Sequence, residues 1–289
     1  MSSRPGIGTL HVPAPDDRRM RHRLLFLACM WVIAFTPFML WKSTWHGRPL
    51  SEQQIGEYLH DSTNPRHIVI ALNQVGDRMQ RRDQSVVNWY PDIIRLSSFR
   101  DDDEIRTIAA RLLGFDLSRM DFHEALIGAV RDPAPSVRAN AALSLARFGD
   151  PTGRVEVVRM LQRYTMSSPI AGDVVHLTEP GNQVQQLDGI SRLNGRDGET
   201  IVKAPFHSRV VKVSAKAGQT VKAGEELATL EPSEDQLLQA LRALYAIGMP
   251  EDLPLIQAVA TANDRPERVR QQAVLTAQSI RARASRQAP

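Results

Sequence analysis

Apolar residues recur at helical spacing over most of this 289-residue chain. The clearest example lies between Asp132 and Asp150, where the spacing i, i+4, i+8, i+11 puts four apolar residues on one helix face. Prolines precede this stripe, Ser136 is placed to cap the helix, and Gly149 is placed to end it. The stripe consists of Val137, Ala141, Leu145 and Phe148.

The pattern DPxxxVRxxAxxxLxxFGD of this segment recurs with variation. Parts of it are found at Asp103–Ala109, Gln236–Gly248 and Pro266–Ala273, and its Gly-Asp ending recurs at Gly76-Asp77. The pattern resembles the HEAT repeat, which implies helix pairs stacked into a solenoid that binds partner proteins. We therefore predict HEAT-like helical repeats over residues 53–166 and 233–285.

A different pattern occupies residues 167–232, where valines and leucines alternate with polar residues and glycines mark turns. The segment repeats itself once, with a single one-residue gap before the shared glycine. A repeat on this scale predicts a duplicated unit of short strands. The equivalent pairs are Pro169 and Pro205, Val174 and Val210, Val175 and Val211, Gly181 and Gly218, Val184 and Val221, and Leu193 and Leu230.

These halves, and above all residues 202–234, resemble the biotinyl/lipoyl-like domain of periplasmic adaptor (membrane fusion) proteins. The resemblance implies a β sandwich of two pseudo-symmetric halves, also called a barrel-sandwich hybrid. Domains of this family that carry biotin or lipoate have a lysine at the hairpin joining the halves, and here that position falls on Asp197. We therefore expect no cofactor, the alternative being modification of Lys203 or Lys216.

The spacing of the repeats indicates where the sandwich is placed. Ala141 and Ala240 are about three repeat lengths apart, and about one remains once residues 167–232 are removed. We therefore predict a mainly α fold, in which a HEAT-like α-solenoid is interrupted by the β sandwich after a helix that ends near Tyr164-Thr165. An insertion is tolerated in such a loop when its own ends lie close together.

The N-terminal part has the composition of a membrane anchor. Residues 1–23 have the composition of a disordered basic tail, residues 24–41 (Leu24 to Trp41) contain no charge, and residues 42–52 form a polar linker. An apolar run of this length predicts a transmembrane helix, although a cleaved signal peptide is the alternative. The five arginines before the run place the N-terminus in the cytoplasm. We expect a single-pass protein of a bacterial inner membrane with a periplasmic body.

No nucleophile, phosphate-binding or metal-binding motif is recognisable, so we predict neither a catalytic residue nor a metal site. His60 with His67, and His176 with His207, are weak metal candidates. The acidic run Asp101–Glu104 is better explained as a helix cap. The net charge of +4 is modest, and we expect no nucleic-acid partner. Arginines of the C-terminal helix form either a solvated face or a contact with anionic lipid headgroups or an acidic partner.

Together these features predict a non-catalytic, membrane-anchored scaffold or adaptor for the proteins of a membrane complex. Two alternatives stay open, namely an adaptor subunit of an export or efflux transporter and an accessory subunit of a membrane enzyme or electron-transfer complex. The short joining turn disfavours the first alternative, because export adaptors carry a long α-hairpin there. Candidate partner-binding residues lie on the joining hairpin and on the loop after it: Asn194, Arg196, Asp197, Phe206, His207 and Arg209.

Overall fold

The structure is a computed structural model that describes residues 30–31, 49–99 and 102–287. In the first of two compact units, residues 1–50, Met30 and Trp31 are helical and exposed. The rest of the predicted span at 24–41, the tail at 1–23 and most of the linker at 42–52 lie outside the described residues. Within the described residues, no helix has both the length and the apolar character needed to cross a membrane.

The second unit, residues 51–289, combines helices with two β sheets. Its described residues form ten α-helices, and short 3₁₀ turns precede α3, α7 and α9. The helices are α1 Glu52–Leu59, α2 Pro65–Gln80, α3 Tyr90–Leu96, α4 Asp103–Leu113, α5 Met120–Ala129, α6 Pro135–Arg147, α7 Arg154–Arg159, α8 Glu234–Ile247, α9 Leu253–Thr261 and α10 Glu267–Gln287.

The even-numbered helices form one continuous row, in which α2, α4, α6, α8 and α10 each pack against the next. The odd-numbered helices α3, α5 and α7 pack against this row, as does α9. The four alanines that mark the repeats in the sequence, Ala109, Ala141, Ala240 and Ala273, are all fully buried between neighbouring helices. This spacing and burial match the helix-pair repeat that the sequence predicts.

Helix α6 shows how a repeat begins and ends. Val137, Ala141 and Leu145 are fully buried, and Gly149 follows the helix with φ +76°, the left-handed conformation that commonly ends helices. The prediction that Ser136 caps α6 is wrong, because Ser136 lies inside the helix and is buried against Thr107. The preceding turn is instead held by Asp132, whose Oδ1 accepts from the Ala134 N–H at 2.8 Å.

Two further helix boundaries can be compared with the sequence. Asp102 caps α4 by accepting from the N–H groups of Glu104 and Ile105, so the acidic run does serve as a helix cap. The Gly-Asp pair at Gly76 does not end a helix, because α2 continues to Gln80. A Cβ at Gly76 would lie 2.7 Å from Leu112 Cδ2, so glycine permits the close approach of α2 and α4.

The inserted segment forms two four-stranded antiparallel sheets. One sheet has the order β1-β8-β6-β3 and the other has the order β5-β4-β2-β7. The strands are β1 Tyr164–Ser167, β2 Gly172–Leu177, β3 Gln183–Val184, β4 Gly189–Gly195, β5 Gly198–Lys203, β6 Ser208–Val213, β7 Thr220–Val221 and β8 Glu226–Pro232. Strands β1 to β4 correspond in order to β5 to β8. Exchanging each strand for its counterpart converts the first sheet order into the second.

This exchange extends to single residues. Val174 and Val210 are both buried, as are Val184 and Val221 and also Leu193 and Leu230. Gly181 and Gly218 both have positive φ, +94° and +82°, at equivalent turns. Two small apolar clusters form the interior, and each combines side chains from both sheets. The internal duplication predicted from the sequence is therefore present in the folded chain.

The two ends of the inserted segment lie side by side. Strands β1 and β8 pair directly, with Tyr164 opposite Leu230. The prediction of a helix ending near Tyr164-Thr165 is wrong, because α7 ends at Arg159 and Tyr164 already begins β1. Helix α8 packs against both α6 and α7, so the helix row continues across the insertion.

Candidate functional site

The hairpin between β4 and β5 brings three of the predicted contact residues together. Gly195 pairs with Gly198, which leaves Arg196 and Asp197 at the tip of a two-residue turn. Gly198 has φ +114°, a conformation that L side chains rarely adopt. Asn194, Arg196 and Asp197 are all exposed. The hairpin therefore presents an amide, a guanidinium and a carboxylate to solvent at one place.

This tip lies at the opposite end of β5 from a contact with the helices. Lys203, at the far end of the six-residue strand β5, contacts α4 through a Nζ–Oδ1 ion pair of 2.9 Å with Asp103. One strand of this length separates the helix contact from the tip by about 17 Å at the usual rise per residue. Partial burial alone would lower the pKa of Lys203, but its hydrogen bond and attraction to Asp103 raise it. Lys203 is thus a charged interface residue.

The predicted contact residues after the hairpin, Phe206, His207 and Arg209, differ in their exposure. Phe206, a candidate partner-binding residue, has a side chain that is only 5% exposed. It belongs to the apolar core built by α6, α7, α8, α9 and α10 and contacts Tyr164 edge-to-face at 5.7 Å. His207 is half-buried and Arg209 is exposed. Phe206 therefore attaches the sandwich to the helices.

Polar contacts reinforce this attachment. Asn140 on α6 donates to Gln186 Oε1 of the β3–β4 loop at 3.2 Å, and Gln186 donates to the Pro205 carbonyl at 2.8 Å. Leu187 in the same loop has φ +73°. The sandwich is consequently joined to α4 by Lys203, to α6 by Gln186 and to the shared core by Phe206. Several independent contacts of this kind restrict movement of the sandwich relative to the helix row.

Glu231 is the centre of an ion network that the sequence did not reveal. Its carboxylate contacts Arg163 at 3.5 Å, Arg209 at 2.7 Å and Arg265 at 3.4 Å. These arginines come from the segment before β1, from β6 and from the turn before α10. Burial raises the pKa of the Glu231 carboxyl, but the hydrogen bond from Arg209 and the charges of Arg265 and Arg163 outweigh it, and the pKa is lowered.

We expect Glu231→Gln to lower the free energy of unfolding at pH 7 by about 2 kcal/mol, because hydrogen bonds to a charged, mostly buried carboxylate are lost. The folded-state pKa is depressed, so this stabilisation is present above the ordinary value near 4.5 and is lost as the pH falls through the folded-state value. Urea titrations of both proteins at pH 7 and at acidic pH measure the difference.

The matched control is Glu179→Gln, which removes an exposed carboxylate from the same sandwich. We expect its cost to stay within about 0.5 kcal/mol at either pH. A Glu231 effect equal to that of the control, or one that does not shrink with acidification, would contradict the proposed role of the network.

A groove lies on the face of the even-numbered helix row, between α4, α6 and α8. Its volume is about 550 Å³. Arg111, Arg147 and Arg242 line the groove, and their side chains are exposed. The repeat pattern could not single out these arginines, since it fixes buried positions and leaves the outer positions of each helix free.

His60 and His67, the first of the two histidine pairs considered as metal candidates, have other partners. His60 Nε2 lies 3.1 Å from Asp92, whereas His67 Nδ1 lies 2.7 Å from Asp61 and its ring stacks on Tyr58. Within the described ranges, no group of three or more histidine, cysteine, aspartate or glutamate side chains is arranged to hold a metal ion.

Much of the basic C-terminal helix is used internally. Arg283 donates to the carbonyls of Gly248, at 2.7 Å, and Tyr245, so it satisfies the C-terminal end of α8. Arg265 belongs to the Glu231 network, Arg268 lies 3.7 Å from Glu234, and Arg270 pairs with Glu267. The sequence predicts a solvated or partner-binding arginine face on this helix. Of its arginines, mainly Arg281 and Arg286, which are exposed, are left to form that face.

Comparison with known proteins supports the helical part. A family model described as HEAT repeats matches residues 93–165, which contain α4 to α7. No curated protein matches the chain. A solved structure titled as a single-chain, multi-domain long-chain acyl-CoA carboxylase is 22% identical over 33% of this chain and 10% of that one, with a TM-score of 0.24. The match covers about a tenth of the length of that solved chain.

Proposed function

We propose that this protein is a non-catalytic scaffold that binds partner proteins through its helical repeats and through the β4–β5 hairpin. HEAT repeats are generally protein-interaction modules, and stacked repeats offer extended binding surfaces. The observation that carries the proposal is the attachment of the sandwich to the helix row by Phe206, by Lys203 and by the Glu231–Arg265 pair, with the hairpin tip left exposed. Such an arrangement keeps the surface of the helical repeats and the hairpin tip at a fixed position relative to each other.

We further propose that the sandwich is a lipoyl-like domain without a cofactor. The exchange of the two sheet orders and the position of the hairpin support this assignment. Asp197 occupies the place of the carrier lysine, and a carboxylate cannot form the amide that links biotin or lipoate to a carrier. The hairpin would then contact proteins instead of delivering a cofactor.

We also propose that residues 24–41 anchor the protein in a bacterial inner membrane, with residues 53–285 in the periplasm. The uncharged run and the arginines before it support this location. The partners would then belong to a membrane complex. An export transporter and a membrane enzyme complex are the two kinds of complex that the experiment below separates.

The test is photocross-linking in the native host. A photoreactive amino acid replaces Asp197 at the hairpin tip or, as a control, the exposed Glu179 after β2, and mass spectrometry identifies the cross-linked proteins. We expect specific partners from position 197 and none of them from position 179. A transporter would favour the export adaptor, whereas enzyme subunits would favour the accessory role.

The intact mass of the purified chain supplies the second readout. We expect no increment that matches biotin or lipoate, because neither Lys203 nor Lys216 lies at the hairpin tip. Such an increment would contradict the proposal that the sandwich lacks a cofactor. Equal cross-linking from both positions would contradict the role of the hairpin.

A further inference from the structure

The groove on α4, α6 and α8 has an unusual balance of charge. Its arginines come from three successive helices of the row, and no carboxylate is among its described lining residues. Three arginines elsewhere in the repeats are paired with acids: Arg106 with Asp132, Arg138 with Glu156, and Arg154 with Glu251. The groove therefore brings three arginines together without a lining carboxylate, and the charge of Asp77 on α2 acts on Arg111 from outside the lining.

The immediate partners of two of these arginines are neutral. Arg111 Nη2 donates to Asn73 Oδ1 at 3.2 Å. Arg147 Nη1 donates to the Gly114 carbonyl at 3.3 Å, and its guanidinium lies over the Phe115 ring at 5.5 Å. Desolvation by the surrounding protein lowers the pKa of both guanidinium groups, which are nevertheless open to solvent on the groove side. A partly desolvated cation gains more from an added carboxylate than a fully hydrated one does.

The surface between the arginines is apolar. Leu143, Ala146 and Ala243 line the same groove. The only aromatic ring among its described lining residues, that of Phe115, is covered by Arg147, so the groove lacks the open stacking surfaces that favour nucleic-acid bases. Alternating charged and small apolar contacts suit a peptide whose acidic side chains are separated by small ones.

We propose that this groove binds an extended acidic segment of a partner protein, in which Asp or Glu carboxylates pair with Arg111, Arg147 and Arg242. Gln239 and Arg242 also line a second cavity of about 320 Å³, which contains one carboxylate, Asp235, beside Arg268 and reaches the edge strand β3 through Gln183 and Val184. The segment can therefore continue from the helix row toward the sandwich. This inference rests on the proposed protein-binding function and specifies the chemistry of one partner.

The test measures fluorescence anisotropy of a labelled decapeptide of alternating Glu and Ala, with the full chain purified in mild detergent. The control peptide carries Gln in place of Glu. We expect the Glu peptide alone to bind, and its affinity to fall as salt is added, because ion pairs at an open surface are screened. The triple variant Arg111→Gln, Arg147→Gln, Arg242→Gln is expected to bind at least about tenfold more weakly, which corresponds to about 1.4 kcal/mol.

A charge-matched variant tests whether the position of the arginines matters. Arg66→Gln, Arg159→Gln, Arg281→Gln removes three exposed arginines outside the groove, and we expect its affinity to change by less than about twofold. Thermal unfolding followed by circular dichroism verifies that both triple variants are folded. Equal losses in the two variants would show a general charge effect and would overturn the groove assignment.

Two further outcomes would also overturn it. Equal binding of the Glu and Gln peptides would exclude recognition of carboxylates, and tighter binding of a thymidine decanucleotide that the groove variant loses would assign the groove to nucleic acid. The cross-linking at position 197 separates this inference from the proposed function. If cross-links persist without peptide binding, the groove inference alone fails; if both fail, the scaffold function fails too.

Discussion

Replacing Phe206 with Ala is expected to lower the free energy of unfolding by about 3–5 kcal/mol, the usual cost of removing a buried phenylalanine. The ring is 5% exposed and lies in the core that α6, α7, α8, α9 and α10 share. Its removal leaves a cavity where the sandwich meets the helices and deletes the edge-to-face contact with Tyr164 at 5.7 Å. Urea unfolding followed by circular dichroism provides the measurement.

Two control substitutions separate packing from other effects. Phe206→Leu fills most of the volume and should cost less than Phe206→Ala. Val175→Ala shortens a side chain that is 50% exposed on the same sandwich and should change stability by less than about 0.5 kcal/mol. If Phe206→Ala costs no more than Val175→Ala, then Phe206 does not join the sandwich to the helices.

The second large effect is expected at Asp132, where one repeat is joined to the next. Asp132 Oδ2 accepts from Arg106 Nε at 2.7 Å and Oδ1 accepts from Nη2 at 3.0 Å, and both side chains are about nine-tenths buried. Asp132→Ala removes this carboxylate and the acceptor for the Ala134 N–H. We expect a loss of about 3 kcal/mol in the free energy of unfolding, because a buried guanidinium loses its counter-charge.

An exposed pair of the same chemistry provides the control. Arg119 and Asp121 also form an ion pair, but both side chains are 41% exposed, and Asp121→Ala should cost less than about 1 kcal/mol. The double variant Arg106→Leu, Asp132→Leu should be more stable than Asp132→Ala, because neither charge then remains buried. Similar losses for Asp121→Ala and Asp132→Ala would contradict the structural role of the buried pair.

Periodic features of this protein were predictable from its sequence. The residue-by-residue duplication of 167–232 places equivalent valines, leucines and glycines at equivalent buried or positive-φ positions. The alanines that mark the helical repeats are buried as expected. These features are local, because alternation and spacing depend only on which face of a strand or helix meets the core.

Features decided by distant contacts were not predictable. Phe206 follows a strand and could equally well have faced solvent; its burial depends on helices far away in the sequence. Ser136 has the chemistry of a helix cap, but the turn before α6 is held by Asp132, which pairs with Arg106 of the previous repeat. Glu231 gave no signal either, because its three arginine partners are dispersed over the chain.

The pairing of β1 with β8 has a consequence for folding kinetics. Helices α7 and α8 are neighbours in the row, yet the whole sandwich separates them in the sequence. If that segment were unfolded, their docking would require closure of a long flexible loop, with its entropic cost. Once formed, the sandwich holds Tyr164 opposite Leu230 and makes the helices effectively close in the chain. We therefore expect the sandwich to fold first. The rate at which the C-terminal repeats dock is then limited by the rate at which the β sandwich forms.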